Sequence, residues 1–285
     1  MIRFLSCLLV TLAVVTVVGA EPVQLTVDGQ ARTFLLRQPD EKGPHPTLIM
    51  LHRGNGKAEE ELHLSELAHR GPQHGFAVVF PQAIGGYWNF FPPSKESTQY
   101  KRFFQIYGGV ADDVAFVQSI VAELAQNGVS DGKRIFLAGR SLGGVMVLRL
   151  VCAHAEMFAA AVLLTSAMPT VTGSDCQPAM PMPILIIGGT KDRVLPYKGS
   201  RSAWGEMLWS TERLVAFFRR LNACVEPNEQ SLVPRGHAPD IAIESSTHCS
   251  GGPVVLYTLV GGGHDMPAQL DESRTLLGFF HDKTR

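Results

Sequence analysis

The sequence predicts an α/β fold in which a mostly parallel central sheet carries helices on both faces. Short apolar, β-branched runs alternate with helix-like stretches along the chain, and this alternation is typical of a parallel sheet. From Thr47 onward the apolar runs are nearly continuous in Leu, Ile, Val and Phe, as expected of strands that are buried on both faces. The first two runs, which Asp28-Gly29 joins, predict an N-terminal antiparallel hairpin instead.

The predicted elements follow one another in regular order. The predicted strands cover residues 23–27, 33–37, 47–52, 76–81, 134–139, 160–165, 183–188 and 253–260. A further short run at 241–244 is expected to pair with the last of them. The predicted helices cover residues 58–74, 111–127, 142–154, 211–221 and 268–280, with Asp112 or Asp113 as the N-cap of the second.

Composition excludes several classes of protein. Of the 285 residues, 45% are hydrophobic and 18% are charged, which fits a chain with a sizeable core and excludes a disordered, collagen-like or coiled-coil chain. The 25 basic residues nearly balance the 26 acidic ones, so we expect no nucleic-acid partner. Without a repeat, a linker or a break in composition, we expect one domain over residues 21–285. The connection between Ser166 and Pro183 is too short for a separate cap domain.

The N-terminal segment predicts export. Arg3 precedes an apolar run over residues 4–18, and Val18-Gly19-Ala20 offers the small residues that a signal peptidase reads. We therefore predict a signal peptide over residues 1–20, with cleavage after Ala20 and release to the periplasm or the medium. The run is short for a bilayer span, which makes a retained membrane anchor the weaker alternative.

Export changes the interpretation of the cysteines. Cys7 leaves with the signal peptide, and four cysteines remain, namely Cys152, Cys176, Cys224 and Cys249. In an oxidising compartment an even number suggests disulfides, for which three pairings exist. The sequential pairing is favoured because its partners lie close in the chain. Metal binding is the weaker alternative, since no Cys/His spacing of a zinc site is present.

The strongest chemical signal is a G-x-S-x-G sequence over residues 139–143, between a buried strand and an apolar helix. This pattern is typical of a nucleophile turn, in which glycines relieve crowding and the hydroxyl, here that of Ser141, stands above the sheet. The helix N-terminus offers N–H groups to developing negative charge. The alternative is a glycine-rich turn with an uninvolved serine.

An acid and a base follow in the order that such hydrolases use. Asp192 follows the strand in ILIIGGTKDRVLPY, and His264 follows the strand in VVLYTLVGGGHDMP. Because the carboxyl ends of parallel strands meet at one edge, we expect both to converge on Ser141. Ser141 would attack, His264 would transfer the proton, and Asp192 would orient the imidazole. Asp265 and Asp175 are the rival acids.

Two further segments are expected to complete the site. The loop at 52–56 would supply the second oxyanion donor, the N–H of Arg53 or Gly54, beside that of Leu142, and His52 would hold this loop in place. Residues 84–109 are unusually aromatic and predict a substrate-binding surface, with local packing as the alternative. Its aromatic residues are Tyr87, Trp88, Phe90, Phe91, Tyr100, Phe103, Phe104 and Tyr107.

These segments together resemble the secreted poly(3-hydroxybutyrate) depolymerase and feruloyl-esterase-like branch of the α/β-hydrolases. The resemblance rests on HRGNG, GRSLGG, GTKDRVLPY, GGGHDMP, Trp88-Asn89 and Asp112-Asp113-Val114, which occur in the family's order over most of the chain after residue 20. It implies an α/β-hydrolase fold and hydrolysis of carboxylic esters through an acyl-enzyme, without a metal or organic cofactor. It also supports pairing Cys152 with Cys176 and Cys224 with Cys249.

Two departures from the family pattern bear on the substrate. Arg53 stands where the family usually has glycine, and Met266 stands where it tends to have tryptophan. Arg53 would either bind an acidic group of the substrate or distort the oxyanion loop. The expected substrates are aryl or feruloyl-type esters or short hydroxyalkanoate oligomers. The alternatives are a peptidase or thioesterase with the same three residues, and an exported pseudohydrolase that binds a ligand or partner.

Overall fold

The central sheet has six parallel strands with an antiparallel hairpin at each edge. In this computed structural model, the described residues are 20–91, 111–202, 204–225, 229–234, 236 and 240–285. The strands are β1 (Glu21–Val27), β2 (Gln30–Arg37), β3 (His45–Leu51), β4 (Ala77–Pro81), β5 (Ser130–Arg140), β6 (Ala160–Leu164), β7 (Ile184–Gly189), β8 (Glu229–Val233), β9 (Asp240–Ser246) and β10 (Val254–Val260). Their order in the sheet is β1-β2-β4-β3-β5-β6-β7-β10-β9-β8, and the six neighbours β4, β3, β5, β6, β7 and β10 are parallel.

Helices cover both faces of the sheet. They are α1 (Ala58–Leu64), α2 (Leu67–Gln73), α3 (Asp113–Gln126), α4 (Leu142–His154), α5 (Thr170–Ser174), α6 (Thr211–Leu221) and α7 (Glu272–Phe280). Alternate strand residues point to opposite faces. Ile49 and Leu137 therefore pack with α3, α4 and α6, whereas Leu48 and Phe136 pack with α1, α2 and α7. The predicted α/β-hydrolase-type fold, a mostly parallel sheet with an N-terminal antiparallel hairpin, is confirmed.

Most differences from the predicted elements lie at the surface. The helix predicted over 58–74 is two helices, because Glu66 has a φ of 52° and ends the regular helical path after Ser65. The exposed edge strand β8 was not predicted, since its five residues show no buried side of the kind that alternation reveals. Asp112, and not Asp113, caps α3 by accepting a hydrogen bond from the Ala115 N–H at 2.9 Å.

Two disulfides connect segments at one end of the sheet. Cys152 on α4 is bonded to Cys176, which follows α5, and Cys224 after α6 is bonded to Cys249 before β10. This is the sequential pairing that the cysteine spacing favoured. Each bond closes a loop of moderate length, and such a cross-link stabilises the fold chiefly by restricting the unfolded chain.

Within the described residues, no helix is both long and apolar enough to cross a bilayer. The predicted signal peptide, apart from Ala20, lies outside the described residues and stays a prediction. Tyr100, Phe103, Phe104 and Tyr107 also lie outside them.

A buried ion pair joins the N-terminal hairpin to α3. The side chains of Arg32 on β2 and Asp113 on α3 are each 1% exposed, and the guanidinium of Arg32 lies 3.9 Å above the Phe116 ring. The second carboxylate oxygen of Asp113 accepts a hydrogen bond from the Asn89 N–H at 2.6 Å. The two neighbouring aspartates therefore have different roles. Asp112 caps α3 at the surface, whereas Asp113 forms an ion pair with the buried Arg32.

This difference gives a stability prediction with an internal control. Asp113→Ala leaves the Arg32 charge buried and unpaired, so we expect the free energy of unfolding to fall by about 3–5 kcal/mol. Asp112→Ala removes only a helix cap, for which a loss of about 1 kcal/mol is expected. Urea unfolding followed by circular dichroism measures both. Equal losses in the two variants would contradict this account of the pair.

Candidate active site

Ser141 occupies a strained turn between β5 and α4. Its φ of 54° and ψ of −120° are unfavourable for a residue with a side chain, at a cost of about 1–3 kcal/mol that the surroundings must offset. Hydrogen bonds on both sides fix this conformation. The Ser141 N–H donates to the Leu164 carbonyl at 2.9 Å, and the Ser166 hydroxyl donates to the Ser141 carbonyl at 2.9 Å.

The glycines around Ser141 are required by close backbone approach. A Cβ on Gly139 would lie 2.4 Å from the carbonyl carbon of Gly143, and a Cβ on Gly143 would lie 2.3 Å from the Leu51 carbonyl oxygen. Both distances are far below van der Waals contact, and backbone atoms cannot rotate away as a side chain does. The G-x-S-x-G pattern therefore reflects the packing of the first turn of α4 against the ends of β5 and β3.

The structure brings Ser141, His264 and Asp192 into one chain of hydrogen bonds. The Oγ of Ser141 lies 2.9 Å from Nε2 of His264, and Nδ1 of His264 lies 2.7 Å from Oδ2 of Asp192. The Asp192 side chain is 2% exposed and that of His264 is 22% exposed, so the acid is enclosed while the imidazole keeps access to solvent. This arrangement allows proton transfer between a serine nucleophile and a histidine base.

The loop after β7 holds the Asp192 carboxylate in one orientation. Its Oδ1 accepts hydrogen bonds from the N–H groups of Val194 at 2.8 Å and Leu195 at 2.9 Å, which leaves Oδ2 directed at His264. The rival acids do not occupy this position. Asp265 and Asp175 are exposed residues, and the carboxylate that contacts the His264 imidazole is that of Asp192.

The loop that carries one predicted oxyanion donor packs against the residue that carries the other. A Cβ on Gly54 would lie 2.5 Å from Cδ1 of Leu142, so the 52–56 loop packs directly on the first residue of α4. The Arg53 carbonyl accepts the Gly56 N–H at 3.1 Å, which closes the loop as a turn. In the described part of the chain, the N–H groups of Arg53 and Gly54 have no hydrogen-bond acceptor. The N–H of Leu142 lies in the first turn of α4, where the backbone N–H groups of a helix have no intrahelical acceptor.

His52 holds this loop through both ring nitrogens. Nε2 lies 3.1 Å from the Ala83 N–H, which can only donate, so Nε2 accepts and Nδ1 carries the proton that it donates to the Arg53 carbonyl at 2.7 Å. Burial lowers the pKa of His52 despite the opposing hydrogen bond to Arg53. A neutral His52 therefore serves as a structural bridge, in agreement with the role predicted for it.

Of the four aromatic residues of the predicted substrate surface that the structure describes, three belong to the core. Trp88 is fully buried, donates its Nε1–H to the His52 carbonyl at 2.8 Å and packs its ring 4.8 Å from the imidazole. Phe90 and Phe91 are also buried, with ring centroids 4.5 Å apart. Their burial corresponds to the local-packing alternative, because a buried ring does not present a surface to substrate. Tyr87 is half-buried, and its substrate-binding role stays a prediction.

A polar cavity of about 490 Å³ adjoins the site on the side of α1 and α7. Charged residues including Arg53, Arg140, Asp265 and Glu272 line it, whereas Ser141 and His264 do not. In the part of the chain that the structure describes, no three His, Cys, Asp or Glu side chains are grouped so that they could hold a metal ion.

Sequence reasoning missed the ion cluster of Arg140 with Glu61 and Glu272. The partners of Arg140 are 79 and 132 residues away in the chain, so no local spacing indicates the contact. Ser166 was also missed as a partner of the nucleophile turn. The available signal was its position two residues after the end of β6, at the edge where the site residues gather.

The state of His52 predicts how stability depends on pH. In the unfolded chain, His52 takes up a proton below about pH 6.5, whereas burial keeps His52 neutral to a lower pH in the folded protein. The free energy of unfolding therefore falls as the pH drops below about 6.5. His52→Gln can still accept from Ala83 but does not titrate. We expect the wild type to lose more stability than His52→Gln between about pH 7 and pH 5, by up to about 1.4 kcal/mol per pH unit. Urea unfolding at several pH values measures this, and parallel curves for the two proteins would contradict it.

Comparison with known proteins identifies a family and two relatives. Residues 32–215 match the model of the dienelactone hydrolase family. Feruloyl esterase B of Piromyces equi is 30% identical over 230 residues, which cover 77% of this chain and 39% of that protein. NocK, an esterase candidate of Nocardia uniformis subsp. tsuyamanensis, is 27% identical over 262 residues that cover 86% of this chain and 73% of that protein.

A solved structure shares the fold at low sequence identity. The acetyl xylan esterase from Aspergillus awamori superposes with a TM-score of 0.61 and 15% identity over 91% of this chain and 99% of that one. The chain spans well under half the length of the feruloyl esterase that it matches. The solved structure shows the fold alone, and the narrower poly(3-hydroxybutyrate) depolymerase branch stays a prediction. The chain belongs to the dienelactone hydrolase family.

Proposed function

We propose that this protein is an exported serine hydrolase that cleaves carboxylic esters through an acyl-enzyme. The observation that carries the proposal is the continuous hydrogen-bond chain from Ser141 through His264 to Asp192, at 2.9 and 2.7 Å. Ser141 is the nucleophile, His264 the general base and acid, and Asp192 the residue that fixes the imidazole tautomer. The family and the esterase relatives support the same reaction class.

The geometry supports a two-step reaction. As Ser141 Oγ attacks the ester carbonyl carbon, His264 Nε2 takes the hydroxyl proton, and the carbonyl oxygen becomes an oxyanion. The N–H of Leu142 and that of Arg53 or Gly54 donate to this oxygen. His264 then protonates the leaving alkoxide, which leaves an acyl group on Ser141. Water repeats the sequence through His264, releases the carboxylic acid and restores the serine.

The substrates that we propose are aryl or feruloyl-type esters or short hydroxyalkanoate oligomers. A small apolar cluster supports this choice, in which Ala167, Leu195 and Leu208 pack with the partly buried Trp204. Ala167 follows Ser166, whose hydroxyl contacts the Ser141 carbonyl, and Leu195 donates its N–H to Asp192. These links attach the cluster to the catalytic segments, and its partly exposed member, Trp204, can pack against an apolar acyl or aryl group.

Export is part of the proposal and rests on two observations. The apolar run at 4–18 with small residues before Glu21 resembles a signal peptide, with cleavage proposed after Ala20. The two disulfides are compatible with an oxidising compartment. The proposed chemistry uses side-chain and backbone groups alone, so no cofactor is required, and the substrate is a small-molecule or oligomeric ester.

The first test is hydrolysis of p-nitrophenyl acetate by the mature protein. We expect Ser141→Ala, His264→Ala and Asp192→Asn each to lower kcat by about 10⁴-fold or more. Asp265→Asn is the matched control and should keep the wild-type rate, because Asp265 does not contact the imidazole. A burst of p-nitrophenol at millisecond resolution would report an accumulating acyl-enzyme. A wild type no faster than its variants would favour the non-catalytic ligand-binding alternative.

Arg53 provides a test of substrate charge. Its guanidinium borders the polar cavity and is 52% exposed, with Glu60 as an ion-pair partner at 3.9 Å. If it binds an acidic acyl group, Arg53→Gln should raise KM for p-nitrophenyl monosuccinate by about two- to fivefold, as expected for an exposed charge pair. KM for the uncharged acetate ester should not change. Equal changes with both esters would indicate that residue 53 acts on the oxyanion loop instead.

A further inference from the structure

Arg140, the residue directly before the nucleophile, lies at the centre of a partly enclosed ion cluster. Its Nη2 lies 2.9 Å from Glu61 Oε1 and 2.7 Å from Glu272 Oε1, and its Nε lies 3.2 Å from both carboxylate oxygens of Glu61. The three side chains are 14%, 1% and 12% exposed. Arg140 therefore holds two carboxylates at once through Nε and Nη2 of its guanidinium.

Each carboxylate of this cluster belongs to the helix that follows a different site loop. Glu61 lies in α1, which begins at Ala58 directly after the oxyanion loop at 52–56. Glu272 is the first residue of α7, which follows the segment that carries His264. Arg140 itself ends β5 and is covalently joined to Ser141. The cluster thus joins the residue next to the nucleophile to the two helices that follow the predicted oxyanion loop and the histidine segment.

We infer that Arg140 is a positioning residue that, through Glu61 and Glu272, sets the distances among the nucleophile turn, the oxyanion loop and the histidine segment. The inference rests on the proposed ester hydrolysis and identifies a further residue on which that reaction depends. Arg140 does not touch the reacting atoms. Its effect passes through the backbone of the three segments that its cluster joins.

Physical reasons favour positioning over stability as the role of this cluster. Removing three charges from water costs several kcal/mol per ion, so apolar packing of similar volume is often at least as stable. The Nε and Nη2 fork of the guanidinium, in contrast, fixes the direction of the Glu61 carboxylate, and Nη2 also holds Glu272. Apolar contacts do not fix direction in this way. Burial acts to lower the pKa of Arg140, but the Glu61 and Glu272 carboxylates outweigh it and raise that pKa above its ordinary value. The guanidinium therefore stays charged.

The expected kinetic signature is a loss of kcat at constant KM. A displacement of about 1 Å between reacting groups can cost about 10²-fold in rate, because alignment is needed only in the transition state. Ground-state binding of a small ester does not depend on that alignment. Loss of fold stability alone would reduce the amount of folded enzyme and leave the turnover of the folded fraction intact.

The test compares four cluster variants with a control on the same strand. Arg140→Met removes the charge, Arg140→Lys keeps the charge without the fork, and Glu61→Gln and Glu272→Gln each remove one ion pair. Arg134→Gln is the control, since Arg134 pairs with Asp131 at 2.6 Å at the opposite end of β5. For each protein, kcat and KM for p-nitrophenyl acetate and the rate of Ser141 labelling by a fluorophosphonate are measured. Circular dichroism gives the folded fraction.

We expect kcat and labelling rate per folded molecule to fall about 10- to 100-fold in Arg140→Met with KM within twofold. Glu61→Gln, Glu272→Gln and Arg140→Lys should show smaller losses of the same kind, and Arg134→Gln should match the wild type. If Arg140→Met does not fold, the other three cluster variants decide the question.

Wild-type kinetics in the folded fraction of the cluster variants would overturn the inference while leaving the esterase proposal intact. A wild type that labels with the fluorophosphonate but does not turn over the ester would contradict the esterase proposal, and the labelling rates of the variants would still test positioning. A wild type that neither labels nor turns over would overturn both.

Discussion

The site depends on the close approach between the first turn of α4 and the end of β3. No side chain fits between them, because a Cβ on Gly143 would overlap the Leu51 carbonyl oxygen at 2.3 Å. The same approach places Gly54 against Leu142, so the two predicted oxyanion donors start from adjacent backbone segments. The positive φ of Ser141 follows from the need to reverse the chain within one residue at this contact.

Polar contacts fix the oxyanion loop from two sides. On one side, Nε2 of His52 accepts a hydrogen bond from the Ala83 N–H, and the His52 carbonyl accepts one from the Trp88 indole N–H. These hydrogen bonds are buried within the core. On the other side, Glu61 of the following helix binds Arg140. Hydrogen bonds and ion pairs constrain direction as well as distance, and buried ones lose much if a single partner moves. The loop that we propose to carry an oxyanion donor is therefore held by contacts from outside its own short sequence.

The sequence predicted the fold well where hydrophobic periodicity was strong. The helices at 142–154 and 211–221 begin and end at the predicted residues, because each has a continuous apolar face between strong boundary residues. The helix over 58–74 was wrong in detail, since the break at Glu66 depends on a backbone conformation that the pattern does not encode. Strand β8 was missed because both its faces are exposed. The aromatic residues near Trp88 could not be assigned, as aromatic side chains serve packing and binding equally well.

The sequence by itself determined the order of elements and the identity of the three residues that meet at the site. Ser141, Asp192 and His264 each follow a buried strand, and parallel strands bring their carboxyl ends to one edge whatever the intervening loops contain. Only the tertiary structure decided which polar partners hold these residues. Arg140 pairs with Glu61 and Glu272, and Asp113 rather than Asp112 pairs with Arg32, through contacts between residues far apart in the chain. Such pairs depend on where complete helices dock, and a local sequence pattern carries no information about docking.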